Sequence, residues 1–145
     1  ILQFHLLCSQ LETVADHCTM IAKSVKELVT AQVRVPDRLR RHYLAQAELI
    51  GRMYQRALSG LLNMDLKQAN ETILLGHELN ERDSEIIRTV VREIREPREV
   101  IPLRVMSGRM ARIGEYAVSI ALMAFNRYLV RSTTLCRAEA ETRKG

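Results

Sequence analysis

The run FHLLCSQLETVADHCTMIAKSVKEL, residues 4 to 28, decides the fold. Its apolar residues Phe4, Leu7, Leu11, Val14, Cys18, Ile21, Val25 and Leu28 recur at alternating spacings of three and four. On a helix of about 3.6 residues per turn that spacing gathers them on one side, as the seam of a bundle helix. The pattern predicts a helix over about residues 1–33.

Working outward, VRVPDR at 33–38 breaks this helix, because Pro36 disfavours helix at Val35 while Asp37 favours the start of the next. A second helix is predicted over about 37–63, with Ile50, Met53, Tyr54, Ala57, Leu58 and Leu61 inward. Asp65 is placed to cap a third helix over about 66–95, with a stripe of Leu75, Leu79, Ile86, Val90 and Ile94. REPRE at 95–99 stops that helix at Pro97, and Pro102 is tolerable in the first turn of a fourth helix over about 99–130. Short connections make successive helices antiparallel neighbours, so the fold class is all-α, an up-down bundle of four long helices. RSTTLCRAEAETRKG, 131–145, carries no apolar stripe and reads as a frayed, flexible tail.

Composition agrees. The hydrophobic content of 47% with only 4% aromatic and no Trp makes the core aliphatic, and only three prolines and six glycines interrupt 145 residues. Cys8, Cys18 and Cys136 form an odd set whose first two members share a helix, so no disulfide framework is implied and a reduced, cytoplasmic setting fits. The longest near-apolar run, AVSIALMAF at 117–125, is too short to span a bilayer. ILQFHLLC at the start lacks a basic leader and a cleavage site, and it already sits inside a helical pattern, so the chain reads as beginning within a larger protein.

The candidate chemistry is acidic. Glu12 and Asp16 lie one turn apart on the first helix, roughly opposite its seam, where two like charges repel by a few tenths of a kcal/mol. A solvated face explains them, and so does a cation held by carboxylate oxygens, of the magnesium, calcium, manganese or iron class. A shift of 99 residues lays Leu7, Leu11, Val14, Cys18, Ile21 and Val25 onto Met106, Met110, Ile113, Ala117, Ile120 and Ala124, and Asp16 onto Glu115. The fourth helix thus repeats the outline of the first. Opposite its seam stand Gly108, Ala111, Glu115, Ser119 and Leu122, a face that reads as covered, so that Glu115 needs a cation, an arginine or a hydrogen-bond set. On the third helix Glu78, Glu81 and Glu85 point away from the stripe, whereas Asp83 falls within it, where a buried pair with Arg109 or a metal would answer its charge.

Basic residues concentrate at 37–56, where Arg38, Arg40, Arg41, Arg52 and Arg56 face only Asp37 and Glu48. This patch suits an anion, an acidic partner or nucleic acid, although no interleaved aromatics favour nucleic acid over a solvated face. No Glu-x-x-His pair, phosphate-cradling glycine loop, Cys-x-x-Cys or framed nucleophile is present, so an enzyme is not expected.

The order of these marks resembles the PhoU family, whose members carry a run close to L-E-R-I-G-D-H-A-x-x-I-A in the last helix of each of two tandem three-helix bundles. LETVADHCTMIA at 11–22 keeps both acids and the histidine; MARIGEYAVSIA at 110–121 has Ala111, Glu115 and Tyr116 in their places. ERDSEII at 81–87 matches the family's E-R-D-D-E-V-D, with Ser84 and Ile87 where acids are usual. The resemblance implies that residues 1–34 are the last helix of a first repeat and 37–130 a second repeat. It further implies a dimeric cytoplasmic regulator of phosphate uptake and phosphate signalling that contacts phosphate transporter components and a sensor kinase. Iron, zinc or magnesium would then bind at Glu12 and Asp16, and at Glu115 with Glu81, Asp83 and Glu85. Two other functions compatible with a PhoU-like domain are regulation of another ion transport system, such as a potassium channel, and nucleic-acid-associated transcriptional control.

Overall fold

Local chemistry sets the helix ends in the computed structural model, which describes the backbone of residues 2–142 and the side chains of residues 4–130. The helices are α1 (Leu2–Thr30), α2 (Asp37–Asn63), α3 (Leu66–Glu93) and α4 (Pro97–Thr142), with no strand among the described residues. α1 stops three residues before its expected end. Gln32 there takes a left-handed φ of 52°, the Val33 N–H donates to the Leu28 carbonyl at 2.9 Å, and the Gln32 N–H donates to the Val29 carbonyl at 3.0 Å. This nested pair closes a helix C-terminus, usually around a glycine. A glutamine in that role gives no sequence signal.

Met64, at φ 57°, ends α2 in the same left-handed conformation. Asp65 then caps α3 as expected, its side chain accepting from the N–H groups of Lys67 at 3.0 Å and Gln68 at 3.2 Å. Pro97 does not stop α3, which already ends at Glu93 with Ile94 extended; it is the first residue of α4, where a missing N–H has no partner to lose. Pro102 consequently lies inside α4, beyond its first turn, and removes one bond from the backbone ladder. α4 runs on to Thr142 where a frayed tail was expected. RAEAET at 137–142 is rich in good helix formers, which sustain a helix without an apolar stripe. The side chains beyond Val130, and residues 143–145 altogether, lie outside the described residues.

α2, α3 and α4 pack on one another, and α1 packs on α4 alone. The expectation that all successive helices are neighbours therefore fails between α1 and α2. α2 and α4 run parallel in register: the Tyr43 hydroxyl donates to the Leu103 carbonyl at 2.7 Å and the Tyr54 hydroxyl to the Ile113 carbonyl at 3.0 Å, pairs separated by 60 and 59 residues. α3 is antiparallel to both. It approaches α2 closely at Gly60, where a Cβ would sit 3.0 Å from the backbone nitrogen of Ala69. Leu39, Leu49, Met53, Leu79, Ile86, Val90, Leu103 and Ile120 fill the resulting core and are almost wholly buried. Each such side chain stabilises the fold by roughly 1.5–3 kcal/mol relative to exposure.

α1 covers only part of its seam. Leu7 and Leu28 are buried and Val14 and Ile21 half-buried, along a stripe that also includes Gln10, His17 and Ser24. The other edge of the seam, at a spacing of seven, faces outward: Phe4 is 70% exposed, Leu11 42% and Val25 42%, with Cys18 exposed between them. A seam with two edges needs two neighbouring helices, and α4 supplies one.

Candidate functional site

The polar groups predicted to carry function fall into three separate places. At the first, the α1–α4 junction, the two helices run antiparallel. The Gln10 amide donates to the Ser119 hydroxyl at 2.7 Å, and the ring centroids of His17 and Tyr116 lie 5.9 Å apart. His17 and Tyr116 hold the same place in the two related runs, so equivalent positions meet where the helices cross. Arg109 Nη1 lies 3.4 Å from His17 Nδ1. A guanidinium can only donate, so Nδ1 is the acceptor and the ring is neutral with its proton on Nε2. Burial, then Arg109 and Arg112, hold the His17 pKa below its ordinary 6.5, while Asp16 pulls it upward. The cluster joins two helices.

Glu12 and Asp16 are exposed on α1. Glu115 is exposed as well, which corrects the expectation of a covered face. Ala111 and Ser119 are half-buried, but Gly108 and Leu122 are open to solvent. The charge of Glu115 is answered by Arg112 one turn earlier, at 2.7 Å. Glu115 also borders a surface pocket of about 300 Å³ between α3 and α4, with His77, Asn80, Ile73 and Val118 around it.

The second place is α3. Asp83 does lie toward the bundle interior, but its partner is not Arg109. The Ser107 hydroxyl donates to Asp83 Oδ1 instead. Arg109 points the other way, to α1, because positions 107 and 109 stand on different sides of one helix. Glu78 pairs with Arg82 at 2.8 Å, Glu81 is exposed, and Glu85 reaches across to Arg38 and His42, each at 3.7 Å. The acids of α1, α3 and α4 thus face different neighbours, and no three His, Cys, Asp or Glu side chains among the described residues could hold a metal ion together. Among the described residues Glu12, Asp16, Glu81, Asp83, Glu85 and Glu115 therefore do not build an iron or zinc centre with three or more protein ligands.

The third place is the basic stretch of α2. Arg38, Arg40 and Arg56 each face a carboxylate, Glu85 at 3.7 Å, Asp37 at 3.2 Å and Glu71 at 3.4 Å. Arg41 and Arg52 are exposed, with Glu48 on the same side of the helix between them. Intervening acids break the patch into single charges, which weakens the electrostatic case for nucleic acid.

The sequence reading missed Gln10 and Gln46, and gave Arg109 to Asp83 rather than to His17. Gln46 is wholly buried in α2, and its spacing from Tyr43 and Ile50 was the available signal. No apolar search would select a glutamine.

Fold and site together define an all-α bundle domain, some of whose charged groups answer one another across and along its helices. Residues 45–124, more than half of the chain, match the PhoU domain, and the chain belongs to that family. No curated protein and no solved structure matches it. Membership gives the chain a phosphate-related regulatory role in a family of regulators rather than enzymes, one that acts through protein–protein interactions. No helix of the described residues is long and apolar enough to cross a membrane. The matched segment covers α2 from Ala45 through α4 to Ala124, so Glu12, Asp16, Arg38, Arg40 and Arg41 lie outside it.

Proposed function

We propose that the chain regulates phosphate uptake and phosphate signalling from the cytoplasm by docking on phosphate transporter components and a sensor kinase, and that it works as a homodimer. The observation that supports a contact-based mode is the open edge of α1. Phe4, Leu11, Cys18 and Val25 repeat every seven residues on a helix held from one side only. Such a strip suits an apolar helix face laid alongside it. A metal ion takes no part in this reading, because the acids do not converge.

The test is co-purification of the tagged chain with the phosphate transporter components and the sensor kinase from cells grown in high and low phosphate. The parent chain should retain at least one of them, and Leu11→Glu with Val25→Glu should lose it while keeping the helical circular dichroism of the parent. Equal retention by the double variant would contradict the α1 surface. Retention of neither partner by the parent chain would contradict the function.

A further inference from the structure

Two buried polar residues, Gln46 and Ser107, and the half-buried Asp83 lie near one level of the α2–α4 bundle, one from each helix. On α2 the inward stripe is Leu39, Tyr43, Gln46, Ile50, Met53 and Ala57; on α3 it is Thr72, Gly76, Leu79, Asp83, Ile86 and Val90; on α4 it is Leu103, Ser107, Met110, Gly114 and Ala117. Each keeps the alternation of four and three that marks a bundle core. The parallel register of α2 and α4, with partners 59 or 60 residues apart, sets Gln46 level with Val105 and Met106, immediately before Ser107. The antiparallel register of α2 and α3, fixed by the close approach of Gly60 to Ala69, sets it level with Asp83. Ser107 and Asp83 are themselves joined. Tyr43, one turn before Gln46, is close enough to Asp83 that the carboxylate adds to burial in raising the tyrosine's pKa.

Asp83 Oδ1 is answered by Ser107, but both polar atoms of the Gln46 side chain are buried and meet no hydrogen-bond partner within the protein. A buried amide left unpaired costs about 1–3 kcal/mol per group, and native cores satisfy nearly all such groups. Gln46 presents a donor and an acceptor together. A cation would answer only Oε1 and leave Nε2 stranded, whereas water accepts from Nε2 and donates to an oxygen. A buried water commonly makes about three hydrogen bonds, which this layer can supply from the Gln46 amide, the second oxygen of Asp83 and the lone pairs of Ser107 and Tyr43.

We propose that the Gln46–Asp83–Ser107 layer encloses a structural water molecule that bonds to the Gln46 amide and the Asp83 carboxylate, completing the polar layer and fixing the register of α2, α3 and α4. A slip of α2 by one turn would bring Tyr43 or Ile50 to the level of Asp83 and carry Gln46 against apolar neighbours. Both sets of polar groups would then lose their partners, so the layer selects one register where an all-aliphatic core would tolerate several.

Water relaxation dispersion of the intact chain, together with water-to-amide NOE spectra of the Gln46 side chain, tests this directly. The expected result is a long-lived water that gives a cross-peak to the Gln46 NH2 and disappears from the dispersion in Gln46→Leu. If that variant fails to fold, the cross-peak in the parent chain still decides the matter. Absence of the cross-peak, with the amide bonded directly to Asp83, would overturn the proposal. So would a melting temperature that rises with added Mg2+ or Ca2+ in the parent but not in Gln46→Leu, since the guest would then be a cation.

Discussion

The helices α2, α3 and α4 and the helix α1 are built from similar sequence, yet they are held very differently. α2 and α3 have two partners each and α4 has three, and their inward stripes are mostly aliphatic and buried. α1 has one partner and a contact stripe that alternates Leu7, Val14, Ile21 and Leu28 with Gln10, His17 and Ser24. An apolar seam thus states how many surfaces a helix could bury, and the number of neighbours decides how many it does. The unit most tightly closed also carries the whole of the PhoU match. The loosely held helix carries the open apolar edge on which docking is proposed.

The largest expected effect separates the two regions by stability. Met53→Ala empties a fully buried site in the α2–α4 core and should lower unfolding stability by roughly 2–5 kcal/mol in urea denaturation. Leu28→Ala removes a buried contact of α1. It should free α1 amides for exchange while moving the urea midpoint much less than Met53→Ala does. Equal losses of midpoint would show that α1 unfolds as one unit with the bundle.

A smaller effect depends on pH. His17 binds its proton less readily in the folded chain than at its ordinary value of 6.5. Above that value both states are neutral and the group contributes nothing to the balance. As pH falls through 6.5 toward the lowered folded value, the unfolded chain takes up a proton that the folded one does not, and the α1–α4 contact loses stability. Exchange of α1 amides, compared with the intrinsic rate, should therefore ease between about pH 7.5 and about pH 5.5. His17→Gln should flatten that dependence. A dependence that persists in the variant would assign it to another group.

The smallest effect concerns the end of α1. Gln32→Gly places the residue best suited to the left-handed conformation at the position that already adopts it. It should stabilise the α1 terminus by up to about 1 kcal/mol, read as slower exchange of the Val33 and Gln32 N–H groups. Faster exchange would mean that the glycine's freedom in the unfolded chain outweighs the relief.

Helix number, type and order were legible because the spacing of Leu, Ile and Val is a periodic signal that survives single exceptions. Asp65 was legible because its capping chemistry is local. The end of α1 and the role of Pro97 were not, since a glutamine closes one helix and the proline opens the next instead of breaking the last. Asp83 was rightly placed within the α3 stripe, but its partner depends on which side of α4 Ser107 and Arg109 occupy, a tertiary fact. Glu115 illustrates the same limit: small neighbours suggested a cover, and the chain leaves that face largely open with Arg112 answering the charge. The arginines of α2 showed as a cluster in sequence, while the acids that neutralise three of them come partly from α3.

Native-state hydrogen exchange resolved along the four helices tests the central contrast most directly. α1 should exchange through a local opening of lower free energy than that of α2, α3 and α4, whose most protected amides should share one common value near the global stability. Protection of α1 equal to that of the bundle helices would contradict the account.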